Sequence, residues 1–305
     1  MTPTQIKAAL EQLGAPPASP VAKQWRAGRP NKSLGQHFLI DKAALGTIVE
    51  AADIKPRDRV LEVGPGLGVL THALLERGAE VVAIEKDRRF TFTPILSPAE
   101  QGKGDLRVLW GDAAKLDWDT VMGSRPWKFV SNLPYAITSL ALRKALYAKN
   151  PPTVVVVLVQ REVAERAIMN AKRKTHDVKT KEKTSLLSLM VALASTEAKI
   201  IRRVPAGAFY PPPKVESAIL KIVPSTSYLV PRTDGWGVEP EDVMALAKKG
   251  FAHPRKLLQR NLGIEGSQWQ ELSKELSFDL KTRAEDLTVG QWAGLAKSIT
   301  LRSLA

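Results

Sequence analysis

Seven short apolar runs punctuate the first 225 residues of this 305-residue chain: RVLEV (59–63), AEVVAIE (79–85), LRVLW (106–110), KFVSN (128–132), TVVVVLVQ (153–160), AKIIRRV (198–204) and SAILKIV (217–223). Helical patterns such as LTHALLERG (70–78), SLALRKALYAK (139–149) and REVAERAIMNAK (161–172) separate most of them. Strand-like and helix-like stretches in this alternation imply βαβ units and a mostly parallel, twisted sheet of seven strands. The last two runs lack a helix pattern between them, so a final antiparallel strand is expected. PSTSYLVPRTDGWGV (224–238) reads as a connector. Beyond it EPEDVMALAKKGF, PRKLLQRNL, SQWQELSKELS and VGQWAGLAKSITLRSL are helix-like. The expected organisation is an N-terminal extension over 1–30, an α/β domain over 31–226 and a small all-α domain over 227–305.

Lys and Arg number 45 against 31 Asp and Glu, a net charge of +14. That balance favours a polyanionic partner, nucleic acid before an acidic membrane, over a merely basic enzyme. With no cysteine, disulfides, thiolate zinc sites and cysteine nucleophiles are excluded. The expected compartment is a reducing one, the cytoplasm or an organelle matrix. The longest apolar run, VVVVLV, falls far short of the roughly 20 residues that cross a bilayer. The N-terminal MTPTQIKAALEQLG lacks signal-peptide features and reads as a short helix with Thr2 as its N-cap and Pro3 at its first position. Residues 15–32, rich in Pro and Ala and basic, leave a transit peptide open, with Glu11 against it. Residues 170–183, NAKRKTHDVKTKEK, carry six basic side chains; they form either a solvated loop or a contact for backbone phosphates. His72, His176 and His253 have no metal-ligand spacing, so no metal is expected.

VLEVGPGLG (60–68) runs off a strand into a helix with glycines at 64, 66 and 68. Such a turn admits a ligand close to the backbone, and the next strand ends at Glu85, placed to accept hydrogen bonds from ribose hydroxyls. The pair fits a dinucleotide or S-adenosylmethionine. G-P-G-L-G departs from the G-x-G-x-x-G that seats a pyrophosphate, and a third strand ends in Trp110-Gly111-Asp112-Ala113, where the acid can take an adenine amine. A glycine turn and two acids on successive strand ends are the layout of a class I, Rossmann-like S-adenosylmethionine-dependent methyltransferase.

The fourth strand runs into Asn132-Leu133-Pro134-Tyr135. An adenine amine is a poor nucleophile because its lone pair is delocalised into the ring. Two acceptors, the Asn132 side-chain oxygen and the Leu133 carbonyl, can bind its hydrogens and aim the lone pair at a methyl donor. Pro134 stiffens that turn, and Tyr135 can stack on the base. Taken alone, the four residues fit better a turn in which Asn132 caps the following helix.

With the glycine turn and both acids, the chain resembles the KsgA family of rRNA adenine dimethyltransferases, relatives of the erythromycin-resistance methyltransferases. KSLGQHFLID (32–41), VQREVAERA (159–167), AFYPPPKVESAIL (208–220) and FAHPRKLLQRNL (251–262) carry the resemblance further, over residues 31–305 in family order. It implies that Gln36, His37, Leu39, Gly64, Gly66, Glu85, Asp112 and Asn132 bind S-adenosylmethionine. It also implies that Asn132 through Tyr135 are catalytic and that Phe209 packs on the target base; core packing is the alternative for Phe209. The family often has Asn in place of His37, and another Asn in place of Ala136. The implied activity is dimethylation of two adjacent adenosines in the 3′-terminal hairpin of small-subunit rRNA, by a monomer acting on a pre-30S-type particle. Lys23, Arg26, Arg29, Lys32, Arg255, Lys256 and Arg260 are candidates for phosphate contacts. The rivals are large-subunit methylation of the antibiotic-resistance type, in which Ile more often replaces Leu133, DNA adenine methylation, and a non-catalytic ribosome-assembly role.

Overall fold

The computed structural model describes residues 2–5, 8, 30, 36–90, 104–169, 183–225 and 237–303. The chain divides into two compact units, Met1–Ala164 with Lys199–Pro224 and Glu165–Ala198 with Ser225–Ala305. A seven-stranded sheet contains all the expected runs: β2 (Arg59–Val63), β3 (Glu80–Glu85), β4 (Asp105–Trp110), β5 (Lys128–Asn132), β6 (Val154–Gln160), β7 (Ser195–Val204) and β9 (Ser217–Pro224). Two short strands that carry no periodic signal, β1 (Phe38–Leu39) and β8 (Phe209–Tyr210), pair antiparallel in a separate ribbon.

The sheet order is β4-β3-β2-β5-β6-β9-β7. β2 pairs parallel with β3 on one side and β5 on the other, and β3–β4 and β5–β6 are also parallel. β9 runs antiparallel to β6, as the missing helix pattern predicts. The chain therefore moves outward from β2 through β3 to β4 and then returns to the far side of β2. Such a reversal opens a crevice at the carboxyl ends of β2 and β5, where open α/β sheets bind ligands.

Burial explains why the central strands read as unbroken apolar runs. Val154 to Val159 of β6 are all buried, and each contributes about 1.5–3 kcal/mol of hydrophobic stabilisation. α1 (Lys42–Ala51) and α2 (Val69–Glu76) pack Ala44, Ile48, Leu70, Leu74 and Leu75 into the same core. Asp41 caps α1 by accepting from the N–H groups of Ala43 and Ala44. α3 (Trp118–Met122), α4 (Thr138–Leu146) and α5 (Arg161–Ile168) follow β4, β5 and β6 in the chain. At the N-terminus residues 3–5 are helical, with Thr2 and Gln5 exchanging capping hydrogen bonds as expected of that N-cap.

The helical unit contains α6 (Leu186–Ala194), α7 (Pro240–Gly250), α8 (Leu258–Leu262), α9 (Gly266–Leu276) and α10 (Val289–Ser303). Pro240 occupies the first turn of α7, with Glu241 and Asp242 beside it and Lys248 and Lys249 in the last turn, complementing the helix dipole. Gly250 lets Trp292 pack against the backbone, since a Cβ there would lie 2.5 Å from the indole. Two expectations change here. PRKLLQRNL is helical only from Leu258, because Pro254 and its neighbours form a turn. The boundary expected at 226/227 is not the only crossing: residues 165–198 also belong to the helical unit, where Thr184 bonds to the backbone of Glu285 and Leu287. The flanking strand signals hide that placement. Most of the expected N-terminal helix and extension, including Lys23, Arg26, Arg29 and Lys32, lies outside the described residues, as do 170–182 of the basic stretch and 226–236 of the connector.

Candidate active site

A cleft of about 260 Å³ opens at the switch point between β2 and β5. Gln36, His37, Leu39, Gly64, Gly66, Glu85, Asp112 and Asn132 through Tyr135 all line it. Residues up to 99 positions apart in the chain thus meet on one surface. Phe209 does not join them. It is 2% exposed and packs in the sheet core, because the two-residue alternation of β8 turns it inward and sends Tyr210 toward Phe38 and Phe90. The expectation that Phe209 shows its ring to a base is corrected accordingly, and the core alternative holds.

The glycine turn has positive φ at Gly64, Gly66 and Gly68, at 70°, 56° and 77°, a region that disfavours side chains. Space matters as well: a Cβ on Gly64 would lie 3.1 Å from the Pro134 ring, and one on Gly66 3.2 Å from the Phe38 ring. The turn after β2 and the turn after β5 therefore pack directly on one another.

Two carboxylates stand on adjacent strand ends. Glu85 is 5% exposed and accepts from the N–H of Gly66 at 3.1 Å and of Asp87 at 2.7 Å. Burial raises its pKa against the pull of those two bonds. Asp112 accepts from the Ala114 N–H at 2.9 Å and from Lys86 Nζ at 3.0 Å, which hold its pKa below the ordinary range. Lys86 also lines the cleft; sequence reasoning missed it, although its place directly after Glu85 was a signal.

Asn132 does not cap a helix. Ile137 is the N-cap of α4, and the Asn132 Nδ2 donates to the carbonyl oxygen of His37 at 3.3 Å. That bond occupies the nitrogen end of the amide and leaves Oδ1 as an acceptor in the cleft. Tyr135 is held on two sides, by a 2.7 Å hydrogen bond between its hydroxyl and Ser217 and by stacking on His37 at 5.7 Å with 26° between the planes. His37 Nδ1 lies 2.8 Å from the Pro211 carbonyl oxygen. A carbonyl only accepts, so Nδ1 carries the hydrogen.

Glu62, the acid inside β2, also lines the cleft and is 2% exposed. Burial pushes its pKa up to about 8, against a 2.7 Å bond from the Thr71 hydroxyl and with the Glu85 charge adding to the rise. The unfolded chain releases this proton near the ordinary value of 4.5, whereas the folded protein keeps it until about 8. Stability therefore falls as pH rises through that window, by up to about 1.4 kcal/mol per pH unit. Glu62→Gln has no proton to lose and is expected to flatten that part of the profile. Urea midpoints at pH 5 and pH 8 check this; an equal decline in both proteins would reject it.

The chain matches the ribosomal RNA adenine dimethylase family over residues 28–301. It is 39% identical over 290 residues to a protein of Dehalococcoides mccartyi named ribosomal RNA small subunit methyltransferase A, covering 92% of this chain and 93% of that one. A Nostoc protein of the same name is 34% identical over 280 residues, covering 88% and 97%. Among solved structures, a dimethyladenosine transferase from Plasmodium falciparum superposes with a TM-score of 0.65 at 24% identity, over 88% of this chain and 98% of that one. The 23S rRNA methyltransferase ErmE follows at 0.61 and 22%, over 86% and 99%. At these identities the two structures speak for the fold.

Proposed function

Because the chain belongs to the ribosomal RNA adenine dimethylase family, we propose that it is a small-subunit rRNA adenine N6,N6-dimethyltransferase whose switch-point cleft holds S-adenosylmethionine. The observation that carries this reading is the packing of Pro134 on Gly64, which brings the cofactor turn and the Asn-Leu-Pro-Tyr turn onto one cleft. The cleft suits a cationic nucleoside: a backbone turn without side chains, two carboxylates on neighbouring strand ends, and apolar walls from Phe38 and Leu39. Among the described residues no helix is long and apolar enough to cross a membrane.

The cofactor supplies an electrophilic methyl group on a sulfonium. Glu85 would accept from its ribose hydroxyls and Asp112 from its adenine amine. Gly64, Gly66, His37, Leu39 and Asn132 close around them. Asn132 Oδ1 and the Leu133 carbonyl would accept hydrogen bonds from the two hydrogens of the target amine and so aim its lone pair at the methyl donor. The proton lost from nitrogen on methylation would go to solvent. Positioning of this kind replaces a strong base and supplies much of the acceleration. Tyr135, with one face against His37, offers the other to a flipped base, whose lost stacking it replaces.

The substrate we propose is a pair of adjacent adenosines in the 3′-terminal hairpin of a pre-30S-type particle, with the protein acting as a monomer. Arg255 and Lys256 are exposed on a turn that Asn261 ties down through the carbonyls of Gly250 and His253, and Arg260 is exposed on α8. They are suited to phosphates, contacts that position rather than specify.

Transfer of label from S-adenosylmethionine to under-methylated 30S particles, 50S particles and duplex DNA tests the reading. Dimethyladenosine pairs in the 30S hairpin are expected. Label in 50S particles or in DNA would assign the protein to another methyltransferase branch, and binding without label would make it an assembly factor.

A further inference from the structure

Beside the cleft, Gln36 of its lining joins Asp87 and Arg89 in a partly buried hydrogen-bonded cluster. The Arg89 Nε donates to both oxygens of Asp87 at 2.9 and 3.0 Å, and its Nη2 reaches Oδ2 at 2.5 Å. The two side chains are 12% and 6% exposed. Gln36 closes the cluster: its Nε2 donates to Asp87 Oδ2 at 2.7 Å, and its Oε1 accepts from Arg89 Nη2 at 3.3 Å. Both ends of the Gln36 amide are thus engaged by the protein.

We propose that Asp87 and Arg89 form a latch which holds the segment Gln36–Leu39 over the cofactor cleft, and that this latch governs how fast the cofactor and its demethylated product leave. Three observations place the latch in the path of release. The segment it grips supplies Gln36, His37, Phe38 and Leu39 to the cleft lining. The same segment holds Asn132 through the His37 carbonyl. The Asp87 N–H in turn binds Glu85 Oε1, whose other oxygen binds Gly66, so the latch, the ribose acid and the glycine turn are one hydrogen-bonded chain.

The two ends of the segment are anchored differently. Its carboxyl end is a strand, with Phe38 opposite Tyr210, Leu39 opposite Phe209, and the Ile40 N–H on the Ala208 carbonyl. Its amino end is held by the side-chain cluster. Phe90, next to Arg89, adds an edge-on contact with Phe38 at 5.9 Å. Breaking the cluster therefore loosens the amino end at Gln36, while His37 keeps its bonds to Pro211 and Asn132 and the strand stays paired. In this scheme Gln36, Asp87 and Arg89 are positioning residues. The inference rests on the cofactor reading above and adds to it a control over release.

Gln36→Leu, Arg89→Met and the double variant test the latch. Gln36→Leu leaves the Asp87–Arg89 pair whole and so separates loss of the latch from loss of the fold. Each single change is expected to speed dissociation of S-adenosylhomocysteine about tenfold, the effect of one charge-assisted hydrogen bond. The KM for the cofactor should rise by more than kcat falls. The double variant should release no faster than the quicker single, because the bonds act as one network. In the ligand-free protein, amide hydrogen exchange over residues 36–40 should quicken in every variant, and Arg89→Lys, which keeps one ion pair, should fall between. Folded variants with the parent's release rate and exchange would overturn the latch alone. A parent protein that binds neither S-adenosylmethionine nor S-adenosylhomocysteine would overturn the cofactor reading and the latch with it.

Discussion

Asn132→Ala is expected to lower kcat for methyl transfer by about 10²–10³-fold, the usual cost of losing one group positioned for a transition state. The side chain has two ends with separate duties. Its nitrogen is tied to the His37 carbonyl at 3.3 Å, and its oxygen is the acceptor left for the target amine. Alanine removes both. Asn132→Asp retains an acceptor but sets a carboxylate oxygen against that carbonyl, so it should fall between the parent and alanine. Single-turnover rates on under-methylated 30S particles are the measurement. A rate within tenfold of the parent for Asn132→Ala would show that the amine is oriented by other groups.

Glu85→Ala is expected to weaken cofactor binding by about 10²-fold or more. Glu85 does two things at once: it organises the glycine turn through the N–H groups of Gly66 and Asp87, and it offers its carboxylate to the ribose. Loss of two hydrogen bonds to a charged acceptor, each contributing about 1.5–3 kcal/mol, accounts for that factor. The alanine variant also leaves two N–H groups without their acceptor at the cleft wall. Glu85→Gln has only one acceptor oxygen, so one of those N–H groups must face an amide NH2, and an intermediate affinity follows. Titration calorimetry with S-adenosylhomocysteine reads both. Affinity within threefold of the parent in Glu85→Ala would remove Glu85 from the cofactor site.

Much of the fold was legible because its signals are local. All seven runs became strands of one sheet; β6 reads as an unbroken apolar stretch because it is buried on both faces, whereas the edge strands β4 and β7 carry charges and are partly exposed. The glycine turn and the acid after the next strand were legible for a related reason: backbone conformation and strand length act over a few residues. The helical tail was legible from its periodicity, apart from the turn at Pro254. β1 and β8, two residues each, are too short to carry a period.

What local rules leave open is direction and partnership. The four residues Asn132 to Tyr135 by themselves favour a helix cap, and only the fold puts the His37 carbonyl beside the Asn132 amide and makes Ile137 the N-cap. Phe209 and Tyr210 are adjacent aromatics in one motif, and only the pairing of β8 with β1 decides which of them turns into the core. Gln36 meets Asp87, 51 residues later in the chain, and no local signal in either stretch marks that contact.

By itself the sequence determined the strands, the positive-φ glycine turn and the acids at the strand ends, because periodicity, φ restriction and side-chain chemistry belong to each residue and its near neighbours. The tertiary structure decided that β5 returns beside β2, that Pro134 lies on Gly64 and that the segment 36–39 lines the cleft. Those contacts join residues tens of positions apart, and their geometry follows from sheet order and side-chain direction, which no short stretch of chain encodes.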